Sequence, residues 1–224
     1  MPSGTANWSN GAVTDPAAIR VPDVTDDALD RLSRQIEFIQ ETEKLKRILR
    51  RNLLLDGSRR ENSAEHSWSL GILAMVFAEY APPGTDLAKV AWMVLIHDIV
   101  EVDAGDTFVY DDPSVLAGQA AREEVAADRL FAVLPGEQAA EVRKLWDEFE
   151  DRQSAEARFA RALDRLAPML ANYRNEGGTW QSHGVTADQV RGRVELIKEG
   201  SPVLGRYATA LIEDAIAKGY LAAG

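Results

Sequence analysis

Residues 88–106, AKVAWMVLIHDIVEVDAGD, decide the fold, because helix-compatible and mostly apolar positions run without a break into the charged pair His97 and Asp98. Every position from Val90 to Ile96 is apolar, so the segment reads as a helix apolar on all sides and buried in the middle of a domain. A carboxylate buried there without a partner costs several kcal/mol or protonates, so a buried Asp is normally paired or bound to a metal. Continuing the helix by one turn sets Glu101 four residues from His97 and three from Asp98, on the side of both. The bland reading is a hydrogen-bonded core His and Asp. The other His and Asp residues of the chain decide against it.

Upstream, Asn62 with Glu65 has the form of a capping box and predicts a helix from about Ser63 to Tyr80. On it His66 shares a face with Leu70, Leu73, Phe77 and Tyr80 and points inward. Nearer the N-terminus, Leu29, Leu32, Ile36 and Ile39 mark a first helix and Leu45, Ile48 and Leu49 a short second one, with a turn at 56–58. Residues 1–25 lack any period and are rich in Gly, Pro, Ser, Thr and Asp, so they read as a flexible leader to one domain spanning 26–222.

Downstream, a loop through Tyr110 and Pro113 leads to helices at about 114–133 and 137–150, and Ser154 opens a long helix to Arg174. In that helix Ala157, Ala160, Ala167 and Ala171 form a small-residue seam with Asp164 at its centre, so Asp164 faces another helix rather than water; Pro168 removes an amide and bends the helix. Taken alone, Asp164 and His66 each fit an ordinary core hydrogen-bonding role. After a loop over 175–184, Thr186 with Gln189 caps a helix to Glu199, and Pro202 begins the last, to about Lys218. No strand pattern or hairpin signal competes, and the fold reads as all α.

Composition bounds the function. The 224 residues suit one core, cysteine is absent, and no stretch has the length of a membrane span, which reads as a cytoplasmic protein without a membrane partner. A net charge of −11 disfavours a nucleic-acid polymer. Yet seven basic residues between Lys44 and Arg60, opposed only by Asp56, make a local arm that suits a small anion, or else a solvated helix face.

Together His66, His97, Asp98 and Asp164 give two nitrogen and two oxygen ligands on three buried helices, a set suited to a divalent transition metal with open positions. The order H…HD…D and its context resemble the HD-domain 5′-nucleotidases over residues 30–200: RRENSAEHSW, LIHDIVEVDAGD and FEDRQSAEARFARALDRL are similar to that family's three blocks. The resemblance implies an HD-domain bundle of about seven to nine helices around one buried metal ion, drawn from Co, Mn, Fe, Ni, Mg or Zn with Co or Mn favoured. It also implies a homodimer, and hydrolysis of a phosphomonoester, a nucleoside 5′-monophosphate, by a metal-activated water.

It further implies His66, His97, Asp98 and Asp164 as ligands, Glu101 as the catalytic carboxylate and Asp106 as a polar group of the pocket. Arg51 falls at the family's phosphate-contacting position, with Arg47 as a second candidate. The next family position is a Trp that reads the sugar; here it is Asn52, which predicts that ribonucleotides are accepted. Di-iron HD oxygenases need two further His between Asp98 and Asp164, and the chain has none; its third, His183, lies beyond Asp164 and reads as structural or exposed. The alternatives are an HD hydrolase of another phosphorylated metabolite or a nucleoside triphosphate, and a degenerate HD module that only binds a nucleotide or a partner.

Overall fold

In the computed structural model, which describes residues 25–223, helix dominates as the apolar spacing predicts. Thr25 caps α1 (Asp26–Glu43), and a 3-10 turn over Lys44–Arg47 leads into a strand, β1 (Leu49–Leu53), paired antiparallel with β2 (Arg60–Asn62). There follow α2 (Ser63–Val76), α3 (Leu87–Ile96), α4 (Glu101–Ala104), α5 (Pro113–Ala117), α6 (Gln119–Phe131), α7 (Gly136–Asp151), α8 (Ala155–Arg174), α9 (Gly178–Ser182), α10 (Ala187–Gly200) and α11 (Pro202–Ala217). Eight of these helices have ten residues or more.

The long helix α8 is the axis. Its faces pack against α2, α3, α7, α10 and α11, and Ala157, Ala160 and Ala162 are fully buried, so neighbouring backbones approach closely. Gly200 on α10 shows how close: a Cβ there would stand 2.2 Å from the Arg158 carbonyl oxygen. Leu70, Val90, Met93, Phe149, Phe159, Leu163, Leu166 and Ile197 fill the core around this axis, and a second cluster of Ile99, Val100, Leu130, Phe131 and Trp146 closes the end of α3. Ends are capped by local chemistry. Asn62 accepts from Glu65 N while Glu65 returns a bond to Asn62 N, Ser154 accepts from Ala157 N, and Arg34 of α1 donates to the carbonyls of Ala132 and Val133 beyond α6.

Five sequence expectations need correction. Ile48 and Leu49 do not extend a second helix: the chain runs into β1, and the hairpin is a pairing that no local alternation announces. The central helix does not continue unbroken through Glu101 but stops at Ile96, and tight bonds from Ile99 N to Ile96 O and Glu101 N to Asp98 O turn the chain into α4. Nor is α3 buried on all sides, since Trp92 is 62% and Leu95 43% exposed. The helix expected at 114–133 divides at Gly118, and the loop expected at 175–184 contains α9. The expected leader at 1–25 lies, but for Thr25, outside the described residues. Among the described residues no helix is long and apolar enough to cross a membrane.

Candidate metal centre

Three elements bring the four proposed ligands together. His66 projects from the first turn of α2, His97 and Asp98 from the end of α3, and Asp164 from the middle of α8. All four are buried, and ligand atoms of His66, His97 and Asp164 lie within 4.8 Å of one another. His66 Nε2 stands 3.1 Å and His97 Nε2 3.7 Å from Asp164 Oδ1, while Asp98 Oδ1 lies 2.9 Å from His97 Nε2.

The imidazole of His97 is held in one role. Its Nδ1 faces the Val94 carbonyl oxygen at 3.0 Å, which can only accept, so Nδ1 carries a proton and Nε2 is turned toward the carboxylates. Despite the short distance to Asp98, Nε2 is buried with no hydrogen bond of proper geometry. Trp146 Nε1 donates to the His97 carbonyl at 3.2 Å and Phe149 packs on its ring, which pins the turn. Burial works against a charged His97, yet the Asp98 and Asp164 charges outweigh it and push its pKa up to about 10. The same negative charge that holds a proton there is what a divalent cation neutralises, and two imidazoles with two carboxylates are a suitable donor set. The residues therefore fit a metal.

Around this centre stands a ring of charge. Glu101 is buried, its carboxyl raised well above the usual range by burial and by the neighbouring Asp98, and it accepts a hydrogen bond from the Ser63 hydroxyl at 2.5 Å. Arg50 donates from Nη1 to Asp98 Oδ2 at 2.9 Å and lies within 4 Å of Glu101, Asp106 and Glu61. Burial raises the Asp106 carboxyl as well. Arg161 and Arg165 approach Asp164 Oδ2 at 3.8 and 3.7 Å, and the Nε atoms of Arg50, Arg161 and Arg165 are all buried without a partner.

Two adjoining cavities open here. A cleft of about 290 Å³ is lined by His97, Asp98, Glu101, Asp164, Arg161 and Glu123. A smaller pocket of about 50 Å³ is lined by Asn52, Tyr110, Trp180 and Arg193, and Arg50, Asp106 and Arg165 border both.

Of the expected residues, the four candidate ligands, Glu101 and Asp106 share this site. Arg51 is exposed and lines the smaller pocket; Arg47 is exposed on the 3-10 turn and lines neither cavity. Asn52 is buried with Nδ2 3.5 Å from the Pro168 carbonyl oxygen. Most of the basic arm is engaged locally: Lys44 with Glu41, Lys46 with Glu43, Arg59 with Glu65, and Arg60 with the Leu49 carbonyl. His183 stands apart from the ligands against Phe108. Sequence reading passed over Arg50, Ser63 and Arg165; the inward turn of Arg50 follows from its place on β1, which no local pattern announces.

The HD domain family model matches residues 42–204. Human 5′-deoxynucleotidase HDDC2 is 28% identical over 137 residues, 60% of this chain and 65% of that protein, and the bovine protein of the same name is 26% identical over 136 residues, 60% of this chain and 64% of its own. The chain thus spans just under two thirds of the length of these curated relatives. Among solved structures, a predicted metal-dependent phosphohydrolase from Magnetospirillum magnetotacticum MS-1 is 53% identical with a TM-score of 0.82, covering 86% of this chain and 96% of that one. A conserved hypothetical protein from Pyrococcus furiosus, 23% identical with a TM-score of 0.57 over 81% of this chain and 99% of its own, shares the fold.

Proposed function

We propose, since the chain belongs to the HD domain family, that it is a metal-dependent phosphomonoesterase hydrolysing a nucleoside 5′-monophosphate to nucleoside and phosphate. The observation that carries this reading is the buried convergence of His66, His97, Asp98 and Asp164, with His97 Nε2 left without a hydrogen bond. The names of the curated relatives and of the Magnetospirillum structure support the reaction class.

In this reading His66, His97, Asp98 and Asp164 hold one divalent ion, with Co or Mn favoured by the resemblance. When bound, the metal supplies Lewis acidity toward a phosphate oxygen and lowers the pKa of water. Glu101 takes the proton of the attacking water, and Ser63 fixes the carboxyl that does so. Arg50 offsets charge on the phosphate; we transfer to it the contact that the resemblance assigns to Arg51, because Arg50 is the arginine set among the carboxylates. A bond forms between water oxygen and phosphorus, the ester bond breaks, and the alcohol leaves with a proton. Asn52, offering both a donor and an acceptor where a Trp would add bulk, supports acceptance of a ribose 2′-hydroxyl. We assign the protein to the cytoplasm and propose a homodimer, the latter supported by exposed Trp68, Ile72 and Met75 on α2 and Trp92 on α3.

The test is phosphate release from a panel of nucleoside 5′-monophosphates before chelation, after it, and after adding Co²⁺ or Mn²⁺. Loss and recovery of activity are expected; full turnover by metal-free protein, or none with any ion, sinks the reading.

A further inference from the structure

The smaller pocket carries an excess of positive charge that hydrolysis of a simple monophosphate does not use. Four arginines line it, Arg50, Arg51, Arg165 and Arg193, against one carboxylate, Asp106. Arg50 is engaged by the carboxylates of the metal side. Arg165 is not so satisfied: its nearest carboxylate oxygen is 3.7 Å away, and its buried Nε has no partner. Arg193 makes no ion pair among the described residues; it donates Nη2 to the Val109 carbonyl at 2.8 Å and lies over the Tyr110 ring. Burial and the Arg165 charge together weaken its hold on a proton. A buried donor left unsatisfied is costly, and an anionic ligand would supply the missing partner.

Size narrows the ligand. At about 50 Å³ the pocket takes roughly four water-sized groups. That is room for a carboxylate or a phosphoryl group. The pocket and the cleft share Arg50, Asp106 and Arg165 in their linings, so a group held in one lies beside the other.

We propose that Arg165 and Arg193 form a second anion subsite, and that the preferred substrates are phosphomonoesters bearing another acidic group, a carboxylate or a second phosphate. This rests on the reading of the metal-side cleft as the phosphomonoester site. Full-length Mn²⁺-loaded protein is assayed with matched pairs: AMP against adenosine 3′,5′-bisphosphate, and ethyl phosphate against 2-phosphoglycolate. In at least one pair the doubly acidic member should exceed its mate by about tenfold or more in kcat/KM, through KM, the scale of one charge-assisted hydrogen bond. Whichever pair shows the advantage tells phosphate from carboxylate.

Arg193→Gln, which keeps a donor for the Val109 carbonyl, and Arg165→Gln should each shrink that advantage to about threefold or less. Equal rates within both pairs overturn the proposal, as does an Arg193→Gln variant that lowers both members of a pair alike, since that is the effect of a loop brace. Calorimetric binding of the same compounds to Glu101→Gln protein reads affinity without turnover. Tighter binding of a doubly acidic member upholds the subsite even if no compound is hydrolysed, an outcome that would sink only the phosphohydrolase reading. Equal affinities overturn the subsite whatever the activity.

Discussion

Ser63 has no exposed surface, and its hydroxyl reaches across 38 residues of sequence to donate to Glu101. A buried carboxylate has few other partners to fix its orientation, so losing this hydroxyl frees the group that handles the proton without touching the phosphate. Ser63→Ala should lower kcat by about ten- to a hundredfold with KM nearly unchanged. The hydroxyl favours the ionised carboxylate and so lowers the Glu101 pKa; its removal should shift the acid limb of the kcat profile to higher pH, with partial recovery in Ser63→Thr. A rise in KM alone would mean that Ser63 only packs α2. Arg50 makes the parallel case for the phosphate: Arg50→Ala should cost about a hundredfold in kcat/KM, and Arg51→Ala less than about tenfold, and the reverse order would restore the role to Arg51. The candidate ligands and Glu101 could be picked out because their spacing on helices is local. Arg50 could not, because Arg50 and Asn52 turn inward by strand alternation, which spacing counted back from His66 does not show.

That register belongs to the hairpin, an element too short to announce itself, with strands of five and three residues. Its turn is held by Ser58 N bonding to Asp56 Oδ1, by Gly57 at φ 72°, and by Asn175 Nδ2, which donates to the Leu54 carbonyl and ties the turn to the end of α8. A Cβ on Gly57 would meet Asn175 Oδ1 at 2.8 Å in a conformation that side chains rarely adopt. Gly57→Ala should therefore cost about 1–3 kcal/mol in denaturant unfolding and raise KM, since the strand it anchors carries Arg50. A variant as stable as the parent would show that the turn relaxes without strain. The helices, by contrast, were readable at their ends, where Asn62, Ser154, Thr186 and Pro202 act through bonds or geometry within a few residues. The break at Ile96 was hidden because Trp146, which bonds the His97 carbonyl there, comes 49 residues later.

Across the whole molecule the centre is a set of long-range contacts: His66 and Asp164, 98 residues apart in sequence, meet at 3.1 Å only once α2 and α8 have packed. The unfolded chain cannot assemble four such ligands, so a metal bound by the folded state stabilises it by mass action. At a free concentration one hundred times the dissociation constant the gain is about 2.7 kcal/mol. For a domain of this size each kcal/mol moves the melting temperature by about 2–4 °C, so saturating Co²⁺ or Mn²⁺ should raise it by roughly 5–10 °C over chelated protein. His97→Ala removes a ligand and should abolish the increment. Glu101→Gln should keep it while losing turnover, because Glu101 acts on water and holds no metal in the proposed mechanism. Calorimetric scans of the three proteins with and without ion decide the matter. An equal rise in His97→Ala would place the stabilising ion elsewhere, and loss of the rise in Glu101→Gln would make Glu101 a ligand.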